Sequence, residues 1–273
     1  MALDSIHRLI DRAASLPPLR QLLRRRYEAR FPTLGHAFHG VYGSFDEAAA
    51  AVPPSRPGSY DNDASAGMYV GWHEVTDYDY PALLWLHEWV RSRPCERVVD
   101  LGGSTGIKFR AFEPLLGLSE TARWLVVDVE AVAKLGRRLA EDDGLSDRLA
   151  FSSEWADASG CDVLLASGSL QYLPSSLGEL LDALEEPPAR VVVNTTPVHA
   201  ERSFFTLNSI GTAVCPYRVT ARDELIEQVC AQGYVLRDSW RNPAKELRLP
   251  YAPELSLQHY SGFCFDRVVD LAP

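Results

Sequence analysis

The stretch from Arg97 to Leu116 constrains the fold more strongly than any other part of this 273-residue chain. Its first residues are apolar, as in a buried parallel strand, and they run through Asp100 into a turn with glycine at positions 102, 103 and 106. From Ile107 the apolar residues follow a helical spacing. A strand, a glycine-rich turn and a helix in this order bring free backbone N–H groups and the positive end of a helix dipole together. The sequence therefore predicts a ligand site at this turn.

The glycine spacing separates two ligand classes. A dinucleotide turn of the form G-x-G-x-x-G, counted from Gly102, needs glycine at positions 104 and 107, where the chain has Ser104 and Ile107. The chain instead has acid-x-Gly-x-x-x-Gly, from Asp100 to Gly106. This pattern resembles motif I of the class I S-adenosylmethionine-dependent methyltransferases, with Ser104 in place of the usual middle glycine. The resemblance implies that the acid and the turn hold the methionine end of the cofactor, although a plain tight turn in another α/β protein has the same pattern.

A second apolar stretch, Trp124 to Asp128, also predicts a buried strand that ends in an acid. Asp128 follows Gly106 by 22 residues, which is where a doubly wound fold places the carboxylate that accepts hydrogen bonds from a ribose diol. Glu130 is the competing candidate, and either acid could instead begin the following helix. We favour Asp128 because the strand ends on it.

Two further segments resemble the same family. Leu170-Gln171-Tyr172-Leu173 resembles the loop after the fourth strand of small-molecule methyltransferases, which lines the cleft between cofactor and substrate. Tyr260 to Phe265 resembles the last strand of that family, which implies that it runs opposite to the others. The resemblance covers about residues 80 to 267, and with Gly40-Val41-Tyr42 these motifs are similar to those of a small group of bacterial methyltransferases.

Strand and helix patterns alternate along most of the chain, which predicts a mainly parallel sheet with the ligand at the carboxyl ends of its strands. The predicted fold is a Rossmann-like, doubly wound α/β sheet of seven strands with one reversed strand, preceded by an N-terminal helical cap. Helices are expected over residues 3–30, broken at Pro17-Pro18, and residues 53–58 have the composition of a linker. We therefore divide the chain into a helical cap or substrate lid, 1–58, and an S-adenosylmethionine-binding domain, 59–273. An irregular lid is also expected from Thr195 to Tyr217.

Cofactor-binding residues are predicted at the turn, at the strand ends and in the tyrosine-containing segment before the turn: Tyr60, Asp100, Gly102, Gly103, Ser104, Gly106, Asp128, Val129, Ser153, Ser167 and Gly168. Substrate-binding residues are predicted at Gln171, Tyr172, Thr206 and Asn208. A hydroxyl acceptor needs a general base, and an imidazole titrates near neutral pH. The candidate catalytic bases are His199, His39 and His73, of which we prefer His199 because it follows the fifth strand of the predicted sheet, in the expected lid.

Charge and cysteine content exclude several classes of protein. A net charge of −10 argues against sequence-independent binding of nucleic acid, which needs a basic face. No apolar run is long enough to span a membrane and the first residues lack the order of a signal peptide, so a cytoplasmic protein is expected. The five cysteines form no close pairs, and neither they nor His36 and His39 complete a metal site. A homodimer is compatible with the sequence, which does not define the oligomeric state.

The sequence thus predicts an enzyme that transfers the methyl group of S-adenosylmethionine to a small polar acceptor, with O-methylation favoured, as in natural-product or saccharide biosynthesis. One alternative is a non-catalytic protein that binds a nucleotide or S-adenosylmethionine. Ser104 and the lack of an obvious base favour this alternative. An NAD-dependent oxidoreductase is the third hypothesis, which the glycine spacing disfavours.

Overall fold

The computed structural model describes residues 17–268, which form two β-sheets and the helices around them. The strands in chain order are β1 (Gly35–Tyr42), β2 (Arg97–Leu101), β3 (Arg123–Val127), β4 (Leu149–Ser152), β5 (Val163–Ser167), β6 (Arg190–Thr196), β7 (Val198–His199), β8 (Phe204–Ile210), β9 (Val214–Ala221), β10 (Tyr234–Asn242) and β11 (Tyr260–Arg267). The α-helices are α1 (Pro17–Arg30), α2 (Phe45–Ala50), α3 (Asp63–Ala66), α4 (Tyr80–Ser92), α5 (Ile107–Leu116), α6 (Glu130–Asp142), α7 (Leu177–Asp182) and α8 (Arg222–Cys230).

The larger sheet has the strand order β10-β11-β6-β5-β2-β3-β4. Strands β4, β3, β2, β5 and β6 are parallel, whereas β11 pairs antiparallel with both β6 and β10. The predicted seven-stranded, mainly parallel sheet and its reversed strand at Tyr260 are therefore confirmed. The parallel strands carry apolar residues on both faces because helices cover both. Val98, Trp124 and Val126 pack on one side, and Val99, Leu125 and Val127 pack on the other.

The smaller sheet has the strand order β1-β8-β9-β7 and is formed largely by residues for which no regular structure is predicted. The segment from Thr195 to Tyr217, expected to be an irregular lid, contains β7, β8 and part of β9, so that expectation is wrong. Its strands β8 and β9 form a hairpin around Gly211, whose φ of +86° suits the turn. Strand β1 pairs antiparallel with β8, with Phe38 opposite Asn208. The wrong prediction has a physical cause: the buried strand β8 contains polar residues at Thr206, Asn208 and Ser209.

The N-terminal region is helical at α1 and α2, as predicted, and also contributes strand β1. Helix α1 begins at Pro17, and the helix predicted before it lies outside the described residues. The domain boundary after residue 58 stays a prediction. Thr220 is a residue type that often caps helices and its position in the sequence predicts an N-cap, but this prediction is wrong. Thr220 lies in β9, and α8 begins at Arg222 after an Ala221 cap without a side-chain hydrogen bond.

No helix within residues 17–268 is long and apolar enough to cross a membrane. Within the same residues, no three His, Cys, Asp or Glu side chains are grouped so that they could hold a metal ion. All five cysteines are free thiols, of which only Cys230 is exposed.

Candidate ligand-binding cavity

A cavity of about 700 Å³ opens at the carboxyl edge of the parallel strands. Its walls come from three sets of residues, which we call the turn half, the aromatic half and the rim. The turn half consists of Gly102, Ser104, Ile107, Lys108, Asp128, Val129, Val132, Ser167, Gly168 and Ser169. The aromatic half includes Phe38, Tyr60, Tyr172, Asn208, Cys215, Tyr217 and Tyr260. The rim consists of Trp72, Glu74, Thr76, Tyr78, Ala244, Lys245, Glu246, Arg248 and Pro250.

The glycine-rich turn has the backbone geometry that its sequence predicts. Gly102 and Gly106 have φ values of +67° and +80°, a region that favours glycine. A Cβ at Gly102 would approach the Cβ of Ser169 to 2.3 Å, so the β2 turn and the β5 loop pack without room for a side chain. Ser104, the departure from the family pattern, also has a positive φ of +53°. Its backbone N–H donates to Asp128 Oδ2 at 2.9 Å, which ties the turn to the end of β3.

Asp128 lies on the cavity wall directly after β3, where the sequence predicts a ribose-binding carboxylate. Its Oδ1 accepts the N–H of Val129 at 2.8 Å, and its Oδ2 accepts that of Ser104. Burial raises the pKa of the carboxyl group to about 6, because its effect is larger than that of the two hydrogen bonds, which lower the pKa. The competing Glu130 is off the wall and instead pairs with Arg137 at 2.8 Å. The carboxylate that faces the cavity is therefore Asp128.

Asp100 lies beneath the turn and is only 1% exposed. Neither carboxylate oxygen has a hydrogen-bond partner within the described residues. Burial raises the pKa of this carboxyl group to about 7, and nearby Lys108 acts in the opposite direction. Asp100 does not line the cavity, so it can affect a ligand only through the turn that it supports.

Most of the predicted binding residues meet at this cavity. On its wall lie Tyr60, Gly102, Ser104, Asp128, Val129, Ser167, Gly168, Gln171, Tyr172 and Asn208. Five others do not line it: Asp100, Gly103, Gly106, Ser153 and Thr206. Ser153 is exposed, and Thr206 is buried with its hydroxyl donating to the carbonyl oxygens of His39 and Gly40. Gly103 and Gly106 shape the turn from behind, where a Cβ would meet Asp100 or Leu149.

The three candidate bases lie apart from the cavity wall. His199, in β7, accepts the backbone N–H groups of Glu201 and Arg202 through Nδ1, each at 3.1 Å. His39 packs against the rings of Tyr27 and Phe31, and burial lowers its pKa. His73 is exposed between two rim residues. Their catalytic role stays a prediction, which this placement does not favour.

Several residues of the cavity wall were not predicted from the sequence. At the rim, Trp72, Glu74 and Thr76 alternate along the chain, a period-two pattern that marks one face of an extended segment, and Tyr78 follows in the 3₁₀-helix Asp77–Asp79. Lys108 lies one residue into α5, and its ammonium donates to buried Asp79 at 2.6 Å. Lys245 lies in a loop after β10 that carries no motif. Only the alternation from Trp72 to Thr76 was visible in the sequence.

Asn194, at the end of β6, connects the parts of this site and is completely buried. Its Nδ2 donates to the carbonyl oxygen of Tyr78 at 3.0 Å and to Ser167 Oγ at 3.4 Å. Its Oδ1 accepts from Trp240 Nε1 at 3.1 Å and from Asn242 Nδ2 at 2.9 Å. One amide group therefore joins the rim, the β5 loop and the end of β10.

The turn half fits the cofactor that the sequence resemblance implies. Its positive-φ glycines leave a surface without side chains beside the start of α5, and Asp128 stands at the end of the neighbouring strand. Gly102, Ser104, Ser167 and Gly168 would hold the methionine end of S-adenosylmethionine, and Asp128 and Val129 would hold the adenosine.

No known protein-family profile matches the chain, and no curated protein matches its sequence. Among solved structures it is similar to the 1,6-didemethyltoxoflavin-N1-methyltransferase of Burkholderia thailandensis, with 22% identity, a TM-score of 0.45 and coverage of 70% of this chain and 78% of that one. It is also similar to the mitomycin 7-O-methyltransferase MmcR, with 16% identity, a TM-score of 0.40 and coverage of 69% and 54%. The cyclase SpnF is a third, with 15% identity, a TM-score of 0.47 and coverage of 85% and 98%. Structural similarity as low as this does not indicate which reaction a protein catalyses. The fold is therefore assigned from the strand order of the larger sheet.

Proposed function

We propose that this chain is an S-adenosylmethionine-dependent methyltransferase that acts on a small molecule, with transfer to oxygen favoured. The observation that carries the proposal is the continuity of the cavity, in which the glycine turn and Asp128 share one space with the aromatic half. A protein that only binds a nucleotide has no need of the second half. The biosynthetic setting, natural-product or saccharide, stays a prediction.

The residues of the chain would act mainly by alignment. When bound, S-adenosylmethionine supplies a methyl group on a sulfonium centre that is already activated for displacement. The turn half would fix this centre by holding the adenosine at Asp128 and the methionine end at the backbone around Gly102 and Ser104. Tyr172, from the loop after β5, belongs to the aromatic half and would separate the acceptor from solvent. Orientation of two reactants can lower a barrier by about 7–11 kcal/mol, so little further chemistry is required of the protein.

None of His199, His39 and His73 acts as the proton acceptor, because none of them lines the cavity. A hydroxyl acceptor would then lose its proton to water, which is easier for a more acidic hydroxyl. An aliphatic hydroxyl is far less acidic and would need a base, which the aromatic half does not contain.

Calorimetric titration tests the cofactor first. We expect S-adenosylmethionine and S-adenosylhomocysteine to bind and NAD not to bind. Asp128→Asn should weaken S-adenosylhomocysteine binding by about 1–3 kcal/mol, the range for an altered hydrogen bond to a charged group. Asp147→Asn, on an exposed acid away from the wall, is the matched control. Binding of NAD alone, or an Asp128→Asn protein with unchanged affinity, would reject the assignment.

Methyl transfer to an acceptor must then be shown separately. Incubation with methyl-labelled S-adenosylmethionine and a set of hydroxylated small molecules should give a labelled product and S-adenosylhomocysteine in equal amounts. Tight cofactor binding without transfer to any acceptor would favour the non-catalytic alternative.

A further inference from the structure

The aromatic half presents ring faces and edges, because its hydroxyl groups are used within the protein. Tyr172 donates to Asn208 Oδ1 at 2.9 Å, and the hydroxyls of Tyr217 and Tyr260 bond to each other at 2.8 Å. Tyr172 meets Tyr217 edge to face with ring centroids 5.0 Å apart, and it meets Tyr60 in the same way at 4.9 Å. Rings held at right angles in this way form the corner of a slot that suits a flat ligand.

The N–H donors of the neighbouring amides are also used within the protein. Asn208 Nδ2 donates to the carbonyl oxygen of Ala37 at 3.2 Å, and Gln171 Nε2 donates to that of Gly168 at 2.7 Å. A polyol needs a hydrogen-bond partner for each hydroxyl that it buries, and unpaired ones are costly. Gln171 Oε1 and Thr195 Oγ1 are the two buried side-chain atoms of the wall without a partner within the described residues. Two such atoms are too few for the several hydroxyl groups of a sugar, so the aromatic half favours a planar aromatic ligand.

A single unpaired cation stands at the rim among the described residues. The ammonium of Lys245 lies 5.3 Å from the centroid of the Tyr78 ring, and no carboxylate within residues 17–268 lies within 4.0 Å of it. The other cations on the wall are neutralised, Lys108 by Asp79 and Arg248 by Glu246 at 2.8 Å. Lys245 is therefore free to pair with a ligand anion, with Tyr78 holding its position.

We propose that the acceptor is a planar aromatic acid with a phenolic hydroxyl group, whose ring lies against the aromatic half and whose carboxylate pairs with Lys245. This inference deepens the proposed function, and the methyl-transfer step that it includes rests on that function. A phenolic oxygen pair would attack the sulfonium methyl carbon as the carbon–sulfur bond breaks. The sulfur keeps that electron pair to give S-adenosylhomocysteine, and the phenolic proton passes to water.

The buried groups of the aromatic half support a phenol over a less acidic hydroxyl. Burial raises the pKa values of Tyr60, Tyr172, Tyr217 and Tyr260, and it raises the pKa of the Cys215 thiol to about 12. All five groups therefore stay protonated near neutral pH and cannot accept a proton there. The acceptor must bring its own acidity, and a phenol is far more acidic than an aliphatic alcohol.

Glu74 is the competing charge at the rim, since it also has no ion-pair partner within the described residues. The test therefore compares ligands of matched shape and different charge. Para-hydroxybenzoate, para-hydroxybenzamide and tyramine present an anion, a neutral amide and a cation on similar phenols. Hydroxyindole carboxylate adds a larger aromatic acid, and glucose phosphate is an anionic polyol. Binding of each is measured by calorimetry with and without saturating S-adenosylhomocysteine.

We expect at least one of the two aromatic acids to bind about fivefold more tightly than the benzamide or tyramine, which is the upper range for one partly exposed ion pair. Glucose phosphate should bind more weakly than that acid. Lys245→Met should remove this preference and leave S-adenosylhomocysteine affinity unchanged. Lys134→Met, at an exposed lysine of α6 away from the wall, should change neither.

The inference is overturned if neither aromatic acid binds, if tyramine or glucose phosphate binds as tightly, or if Lys245→Met leaves the preference intact. These results would not affect the proposed function as long as S-adenosylhomocysteine binds. Failure of S-adenosylhomocysteine to bind would instead reject the proposed function, and the titrations without it would still measure the preference for aromatic acids.

Discussion

The carboxylate of Asp100 lies directly under the backbone of Gly103, so close that a Cβ on Gly103 would come within 2.4 Å of Asp100 Oδ2. The last acid of β2 and the middle of the glycine turn therefore fit only because residue 103 has no side chain. Both belong to the motif that the sequence singles out, although neither lines the cavity.

Gly103→Ala should displace the turn and weaken S-adenosylhomocysteine binding by about 5- to 150-fold, because overpacking of a tight site costs about 1–3 kcal/mol. Calorimetry measures the affinity. Gly35→Ala is the matched control, since a Cβ there meets nothing within 4 Å. Adding Asp100→Ala to Gly103→Ala removes the clashing carboxylate and should restore part of the affinity. Normal binding by the Gly103→Ala protein would show that the turn tolerates a side chain.

The raised pKa of Asp100 predicts a pH dependence of stability. The folded protein holds this proton up to a pKa of about 7, whereas the unfolded chain releases it near 3.9. The stabilisation by the proton is complete below about pH 4 and is lost as the pH rises through 7. Relative to Asp100→Asn, the wild-type protein should therefore lose roughly 3–4 kcal/mol between pH 4 and pH 8.

Urea denaturation of the two proteins at several pH values measures this difference. Asp128 titrates in both, so its contribution cancels. Parallel stability curves for the wild type and Asp100→Asn would show that Asp100 is not held protonated.

The buried ion pair between Asp79 and Lys108 should be important for the rim. Asp79 is fully buried and also accepts the backbone N–H and the hydroxyl of Thr76 through Oδ2. Asp79→Ala leaves a partly buried ammonium without its partner, which costs about 3–5 kcal/mol. The exposed Asp77, in the same turn, gives a matched control in Asp77→Ala. Equal urea midpoints for the two variants would contradict this prediction.

Asn194→Ala should lower stability by roughly 1–3 kcal/mol or more, because buried donors at Trp240 and Asn242 lose their acceptor. Asn194→Asp keeps that acceptor but places a carboxylate against the carbonyl oxygen of Tyr78, so it should loosen the rim more than the end of β10. Amide hydrogen exchange can compare residues 72–78 with β10 in the two variants. Uniform protection in Asn194→Asp would show that the amide does not hold the rim.

Most of the larger sheet could be predicted because its strands follow local rules. Helix α5 has the predicted bounds, Ile107 to Leu116, and β3 differs from the predicted strand, Trp124 to Asp128, by one residue at each end. Continuous apolar runs between turn residues identify such strands without knowledge of the tertiary structure.

The smaller sheet could not be predicted in the same way. The pairing of β1 with β8 joins residues that are far apart in the sequence, and polar residues buried in β8 hide its apolar pattern. The same contrast holds for the residues of the cavity wall. Asp128 and Gly102 were predicted because they belong to sequence motifs, whereas Lys245 and Tyr217 reach the wall only through tertiary packing.

The pairing of Gly35 with Ile210 also has a consequence for the order of folding. It closes a loop of about 175 residues, and the entropy of closing so long a loop is offset only after the intervening chain has become compact. During synthesis, β1 cannot pair until β8 has been made, whereas β2 to β6 can pair before that. The acceptor side of the cavity therefore forms last, so newly made chains should acquire cofactor binding before they can enclose an acceptor.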